Sequence, residues 1–131
     1  MMSAKVGKTK KKTTTELICE NLGLSYQTIF QDYKCTMRQG LPYFGRLYIG
    51  EEHLMFVSNM FGIVKKIAIV IDSISKLSQP SLETIVVTGR HHKSASEEDF
   101  SFSGFKNENA FKIVRALWKK EKLESEVLNS N

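Results

Sequence analysis

The fold is decided by the stretch Gly45-Arg46-Leu47-Tyr48-Ile49-Gly50-Glu51-Glu52-His53-Leu54-Met55-Phe56-Val57-Ser58-Asn59. Leu47 and Ile49 before the acidic pair, and Leu54 and Phe56 after it, recur at every second position. This period is typical of half-buried strands. The segment Gly50-Glu51-Glu52 is short enough to serve as a hairpin turn. The stretch therefore predicts two antiparallel strands joined by a tight acidic turn.

Three consecutive segments resemble the GRAM domain, a small relative of the PH domain. They are a Gly-Arg-Leu-Tyr-Ile strand, a His-Leu-x-Phe-x-Ser strand, and a Phe-Gly pair followed by a basic-to-apolar strand, here Phe61 to Ile69. The resemblance extends from Asp32-Tyr33-Lys34-Cys35 to a closing helix that contains Phe111 and Trp118, and covers roughly residues 24 to 120. It implies a membrane-associated binding module rather than an enzyme.

Size and composition indicate one domain. The chain has 131 residues, of which 41% are hydrophobic and 25% are charged, as in ordinary globular proteins. No stretch approaches the roughly 20 apolar residues of a membrane span, and the lysine-rich N-terminus lacks the apolar segment of a secretory signal. We therefore expect a cytoplasmic or nuclear location, where Cys19 and Cys35 are reduced thiols.

The excess positive charge lies in the first fifteen residues, which contain five lysines and no acid, whereas the remainder has 14 basic and 14 acidic residues. The lysines are Lys5, Lys8, Lys10, Lys11 and Lys12. With almost no apolar content, residues 1–15 are predicted to be a disordered polybasic tail. Such a tail either attracts an anionic membrane or serves as a solubilising extension or nuclear signal.

From Thr28 onward the sequence predicts seven short strands. A short helix that stops near Gly23 is predicted before them, within residues 16–26, and a polar surface loop without strand pattern spans Gly89 to Glu98. Gln79-Pro80-Ser81 is expected to break the strand pattern, because proline lacks a backbone amide. The predicted strands are Ile29–Met37, Tyr43–Ile49, His53–Ser58, Ile63–Ile71, Ser73–Gln79, Thr84–Thr88 and Asp99–Ser103.

The C-terminal segment changes to helical period, with Phe111, Val114 and Trp118 on one face. That face needs a partner, and the open end of a barrel provides one in PH-like folds. The predicted fold is mainly β (α+β): a seven-stranded, antiparallel, partly open barrel or sandwich capped by a C-terminal α-helix. The sequence predicts a single domain over residues 16–125 and a disordered C-terminus over residues 126–131.

Catalytic motifs are absent from the sequence: it has no Gly-x-Gly-x-x-Gly, P-loop, His-Glu-x-x-His or Gly-x-Ser-x-Gly. His91 and His92 precede the acidic residues 97–99 and would be a metal site only if the loop held them rigidly. A solvated loop is the favoured interpretation. We therefore predict no enzyme activity, no cofactor and no metal.

Basic residues outside the tail are the candidate lipid ligands. PH domains place a phosphoinositide headgroup between cations of the first strands, where charged hydrogen bonds suit phosphate. Here Arg46 is followed two positions later by Tyr48 rather than by a second cation. This departure favours attraction to phosphatidylserine or mixed anionic lipids over a stereospecific phosphoinositide pocket. The predicted lipid-binding residues are Lys34, Arg38, Tyr43, Arg46, Lys65 and Lys66.

Two of these segments have alternative interpretations. The apolar turn from Leu41 to Phe44 lies between Arg38 and Arg46, and either inserts at a headgroup boundary or joins the core as strand ends. The pair Lys65-Lys66 interrupts the alternation of its strand, which predicts a bulge or an early strand start. It either contacts lipid or blunts an exposed strand edge.

These patterns lead to one functional prediction: a non-enzymatic, peripheral adaptor that binds anionic phospholipid, phosphatidylserine or phosphoinositide, on the cytosolic face of a membrane. A protein partner or larger complex would supply its effector function. The alternative is a PH-like protein-protein interaction module that binds a peptide without lipid. Nucleic-acid binding is not expected, since the region after the tail is charge-neutral. The oligomeric state is left open.

Overall fold

A computed structural model describes residues 12–92 and 94–129 of the chain. Within these residues, two α-helices flank seven β-strands, and a short 3-10 turn at Ile71–Ser73 connects the fourth and fifth strands. The elements are α1 (Thr14–Asn21), β1 (Ile29–Gln39), β2 (Leu41–Gly50), β3 (His53–Met60), β4 (Ile63–Val70), β5 (Lys76–Ser81), β6 (Thr84–Gly89), β7 (Glu98–Ser103) and α2 (Asn109–Asn129).

All seven strands form one antiparallel sheet in the order β4-β3-β2-β1-β7-β6-β5. The long strand β1 pairs with β2 along most of its length and with β7 only through Thr36, Met37 and Arg38. It therefore connects a four-stranded part of the sheet to a three-stranded part. Strand twist curls such a sheet around its own core. The predicted fold class and all seven predicted strands are confirmed, with ends that differ by a few residues.

The core is built from the inward-facing residues of successive strands. Met37, Leu47, Phe56 and Phe102 are fully or almost fully buried, and each comes from a different strand. The rings of Phe56 and Phe102 lie 5.9 Å apart. The two parts of the sheet thus share one apolar core, as the period-two pattern predicts.

α2 packs against this core with the predicted face. Val114 is fully buried, and Trp118 is partly buried and donates a hydrogen bond from its indole Nε1 to the Ile74 carbonyl at 2.8 Å. Near the end of the helix, Ser125 Oγ lies 3.1 Å from Asp72 Oδ1. Residues 126–129 are helical too, so the boundary predicted for a disordered C-terminus is wrong for these residues.

α1 begins earlier than predicted. Thr13 is its N-cap and accepts a hydrogen bond from the Glu16 amide at 3.1 Å, while Glu16 Oε1 accepts one from the Thr13 amide at 3.0 Å. This capping box satisfies amides that a helix start otherwise leaves unpaired. Residues 13–15 therefore belong to the start of α1 and not to the predicted tail, and residues 1–11 lie outside the described residues.

The fifth strand also differs from the sequence prediction. It begins at Lys76 because the 3-10 turn occupies Ile71–Ser73, and it continues through Pro80 to Ser81 instead of breaking there. Its pairing with β6 shifts register between Ser78 and Ser81. A bulge of this kind accommodates a residue that cannot donate to the ladder.

Candidate functional site

The β1–β2 hairpin turns at Gly40, which adopts φ 86°, and places apolar side chains in solvent. Leu41 is 67% exposed and Phe44 is 60% exposed, whereas Tyr43 between them is partly buried against the core. Tyr43 shares the inward face of β2 with Leu47, whereas Phe44 faces outward. Leu41 has the parity of Tyr43 but is the first residue of β2, next to the turn. The core interpretation of this segment is correct for Tyr43 and wrong for Leu41 and Phe44.

The β3–β4 hairpin turns through the two residues Phe61 and Gly62, between the paired residues Met60 and Ile63. Both turn residues have positive φ, 53° at Phe61 and 81° at Gly62, which is the type I′ geometry. Gly62 suits it, but a bulky side chain at positive φ costs on the order of 1–3 kcal/mol. The Phe61 side chain is nevertheless 100% exposed.

The two hairpin turns lie beside each other. The Phe44 amide donates to Met60 Sδ at 3.4 Å, which joins the start of β2 to the end of β3. Ile63 and Val64 at the start of β4 are exposed as well. We call the exposed apolar side chains at these two turns the tip surface; they are Leu41, Phe44, Phe61, Ile63 and Val64.

Basic residues occur in both hairpin ends that carry the tip surface. Residues 38–46 and 58–66, which form the two hairpin ends, contain four basic side chains and no acidic one. The basic residues are Arg38, Arg46, Lys65 and Lys66. An exposed apolar patch bordered by one sign of charge matches an interface with an anionic, partly apolar partner.

Lys65 and Lys66 point in opposite directions. β4 pairs with β3 in unbroken register, so the bulge, one of the two predicted alternatives, is absent and Lys65 faces the mouth of the barrel. Its Nζ lies 5.3 Å from the centre of the Tyr43 ring, a cation-π contact that tolerates an inward lysine. Lys66 faces outward and donates to the Asn21 carbonyl at 3.1 Å. The structure thus brings Lys65 and Tyr43 together and separates Lys66 from them.

The remaining predicted ligands lie on the outer face of β1 and β2. Lys34 and Arg46 are direct cross-strand neighbours, and Arg46 donates to Asp32 Oδ2 at 2.5 Å. This ion pair offsets part of the Arg46 charge. Arg38 is exposed one strand position before the end of β1. The six predicted residues therefore do not converge on one pocket.

A concavity with a volume of about 660 Å³ lies at the mouth of the barrel. Lys65 and Lys66 line it together with His91 and Glu98, and Glu98 Oε1 accepts a hydrogen bond from Gln39 Nε2 at 2.6 Å. The mouth thus presents both signs of charge. A polyphosphorylated headgroup placed there would meet the Glu98 carboxylate, which disfavours it.

Neither the loop that contains His91 and His92 nor Cys35 has the surroundings of a metal or catalytic site. His91 Nδ1 lies 3.7 Å from Glu98, and His92 Nδ1 lies 2.8 Å from Ser94 Oγ. Within residues 12–92 and 94–129, no group of three or more His, Cys, Asp or Glu side chains is arranged to hold a metal. Burial raises the pKa of Cys35 to about 12, which keeps this thiol protonated and unreactive.

Neither described helix has the length and apolar composition that crossing a bilayer requires.

The sequence predicted only part of the tip surface. The prediction included the Leu41–Phe44 segment but treated Phe61-Gly62 as a family motif and Ile63 as an ordinary strand residue. An X-Gly dipeptide between two alternating segments is a hairpin signal, and it would have placed Phe61 at a turn. Its exposure depends on the tertiary structure, since an isolated hairpin does not show what covers its tip.

The chain is similar in sequence to GRAM domains and to segments of larger proteins. The GRAM domain sequence profile matches residues 14–123. Cyclic GMP-binding protein C of Dictyostelium discoideum is 28% identical over 86% of this chain, and Membrane-anchored lipid-binding protein LAM5 of Saccharomyces cerevisiae is 25% identical over 79% of it. The chain spans only 4% and 15% of these two relatives.

Among solved structures, human RhoA in complex with the DH/PH fragment of PDZRHOGEF matches with a TM-score of 0.58 and 6% identity. The match covers 83% of this chain and 34% of that one. At this identity the likeness concerns the fold alone, which is PH-like.

Proposed function

The chain belongs to the GRAM domain family, and we propose that it is a non-enzymatic module that docks peripherally on anionic phospholipid at the cytosolic face of a membrane. The observation that carries this proposal is the tip surface with its border of cations. Exposed apolar and basic side chains in one place suit the headgroup boundary, where apolar groups enter and cations remain with the phosphates.

One of the relatives supports a lipid as the partner. It is named a membrane-anchored lipid-binding protein, and this chain matches a segment of it. The hairpin ends contribute Arg38, Lys65 and Lys66 as cations near the tip surface, while Lys34 and Arg46 extend the positive area along β1 and β2. An anionic surface attracts each such cation by about 1 kcal/mol at low ionic strength.

Phosphatidylserine suits this arrangement better than a stereospecific phosphoinositide. The cations are distributed over two hairpins and the outer face of the sheet, and the mouth of the barrel contains Glu98. Cations that are spread over a surface respond to the charge density of a membrane and do not recognise the shape of one headgroup. We therefore propose that binding follows the density of anionic lipid and weakens as salt increases.

The N-terminal lysines would add to this attraction. Lys5, Lys8, Lys10 and Lys11 lie outside the described residues, and Lys12 forms an ion pair with Glu20. Lys12 is thus partly neutralised by the fold. The electrostatic contribution of the tail is assigned to the first four lysines.

Co-sedimentation of the full chain with phosphatidylcholine vesicles, with and without phosphatidylserine, tests the proposal. Arg38→Glu converts an attraction of about 1 kcal/mol into a similar repulsion, so we expect roughly tenfold or greater weakening at low salt. Arg115→Glu is the matched control, because Arg115 is exposed on α2 and distant in sequence from both hairpins.

Three results would reject the lipid proposal. The wild type fails to sediment with phosphatidylserine vesicles, or it binds vesicles equally with and without anionic lipid, or Arg38→Glu and Arg115→Glu weaken binding to the same extent. If the wild type binds no vesicles but binds a peptide or protein through Arg38, the protein-interaction alternative replaces it. Circular dichroism and a melting curve of each variant establish that the fold is intact.

A further inference from the structure

The β3–β4 turn has a residue that its geometry does not favour. Two-residue type I′ turns select Asn-Gly, Asp-Gly or Gly-Gly, because both central residues need positive φ. Here Phe61 occupies the first position at φ 53°, and Gly62 occupies the second at φ 81°. A phenylalanine at positive φ has a strained backbone, which destabilises the fold.

Contacts within the described fold do not compensate for this strain. Phe61 is 100% exposed, so no other described residue covers its ring. Phe56, five positions earlier, is fully buried and ordinary in backbone conformation, which shows where this sequence puts an aromatic residue for stability. Because no contact within the described fold offsets this backbone strain, the strain indicates that Phe61 has a role in binding another molecule.

The surroundings of Phe61 indicate what covers it. Ile63 and Val64 are exposed next to it, and Leu41 and Phe44 are exposed on the adjacent hairpin. Both hairpin ends lack acidic residues and together contain four basic ones. A second copy of this surface would bring two such positive sets together, which is unfavourable. An anionic bilayer complements the charge and also provides an apolar interior.

We propose that Phe61 is the side chain that enters the bilayer, with Ile63 and Leu41 at the acyl boundary and with Arg38 and Lys65 at the level of the phosphates. This inference rests on the proposed membrane function and specifies its penetrating residue. A two-residue turn projects little beyond its strands, so insertion is shallow, within the 5–10 Å typical of interfacial elements.

Phe61→Asn separates this role from folding. Asparagine is favoured at the first position of a type I′ turn, so the variant is expected to melt at a higher temperature than the wild type. Its partition onto phosphatidylserine vesicles is expected to weaken about tenfold, equivalent to about 1.4 kcal/mol. The loss should be equal at low and high salt, since it removes apolar burial and no charge.

Leu82→Asn is the matched control. Leu82 is an exposed apolar residue in the two-residue turn between β5 and β6, whose strands do not pair with β3 or β4. This variant should bind vesicles as the wild type does. A second pair, Phe61→Trp and Leu82→Trp, reports depth directly against the constant background of Trp118. Brominated acyl chains should quench the emission of the Phe61→Trp chain and leave that of the Leu82→Trp chain unaffected.

The outcomes distinguish the two proposals. If the wild type does not sediment with vesicles, the membrane function fails, and the insertion fails with it. If the wild type sediments but Phe61→Asn binds equally well and Phe61→Trp is not quenched, only the insertion is overturned. If Phe61→Asn converts a dimer into a monomer in analytical ultracentrifugation, a second copy covers Phe61 and the bilayer assignment is wrong.

Discussion

The two ends of β4 differ in whether their apolar side chains are buried. At the end near Ile74 and Asp72, α2 covers the sheet, and Trp118 both packs on the core and hydrogen-bonds to the backbone. At the other end, Phe61 and Ile63 stand in solvent. The chain therefore covers one end of the strand itself and leaves the other end exposed. Stability belongs to the covered end, and we assign recognition to the uncovered one.

The largest expected effect concerns the covered end. Trp118→Ala removes a large side chain from the contact between α2 and the sheet, so we expect the free energy of unfolding to fall by about 3 kcal/mol. Partial exposure of Trp118 places this value at the low end for tryptophan truncation. Urea denaturation monitored by circular dichroism measures it.

Trp118→Phe is the control for that variant. It keeps most of the packing but loses the hydrogen bond to the Ile74 carbonyl, so it should cost only about 1 kcal/mol. If Trp118→Ala melts like the wild type, α2 does not close this end of the sheet. The contrast between the two ends of β4 would then be lost.

The sequence predicted the covered end better than the uncovered one. Helical period placed Val114 and Trp118 on one face, and a face of that kind must be buried against something. Strand period likewise located all seven strands, because alternation records which side meets the core. Both signals are local and both depend on burial.

Exposure at the tip surface could not be predicted in the same way. Leu41, Phe44 and Ile63 have the residue types of a core, and their sequence spacing does not reveal that no other element covers them. The positive φ of Phe61 depends on the register of β3 with β4, which fixes a two-residue turn. The predicted bulge at Lys65-Lys66 failed for a related reason, since the Tyr43 ring that accepts Lys65 comes from another strand.

An intermediate effect is expected from the N-terminal lysines. Deleting residues 1–11 removes Lys5, Lys8, Lys10 and Lys11 but keeps Thr13, the N-cap of α1. At about 1 kcal/mol or less for each lysine, binding to phosphatidylserine vesicles should weaken by on the order of 2 kcal/mol at low salt. The difference should largely disappear at high salt.

This deletion removes positive charge and leaves both ends of β4 unchanged. Its control is a chain of full length with these four lysines changed to glutamine, which should match the deletion. If the truncated chain binds vesicles as tightly as the full chain at low salt, the lysines are a solubilising or targeting extension. The tip surface would then account for the membrane affinity without them.

The smallest expected effect is a pH dependence that resides at the covered end. His53 begins β3, and its Nδ1 lies 3.1 Å from Nε2 of the buried Gln27, whose Oε1 accepts from the His53 amide. Burial lowers the pKa of His53, and the nearby Glu52 opposes this shift. Gln27 Nε2 donates to Nδ1, so the fold favours the neutral ring.

The sign of the effect follows from proton binding. Between the lowered folded pKa and the unfolded value of about 6.5, the unfolded chain binds more protons than the folded chain. The stabilisation from His53 is therefore fully present above about pH 6.5 and is lost as the pH falls through the folded pKa. His53→Gln removes this titration and keeps an amide that can accept from Gln27. Other charged groups line the cavity beside His53; they are Glu52, Asp72, His91, His92 and Glu121.

Those groups are present in both the wild type and the variant, so a comparison of the two proteins isolates the contribution of His53. Among them, burial and neighbouring carboxylates raise the pKa of Glu121, whose effect on stability has the opposite sign. We expect the wild type to lose more unfolding free energy than His53→Gln between about pH 7.5 and about pH 5.5. Urea midpoints at the two pH values measure the difference. Parallel losses would mean that His53 is protonated as easily in the folded chain as in the unfolded one, and that Gln27 does not hold the start of β3 through the neutral ring.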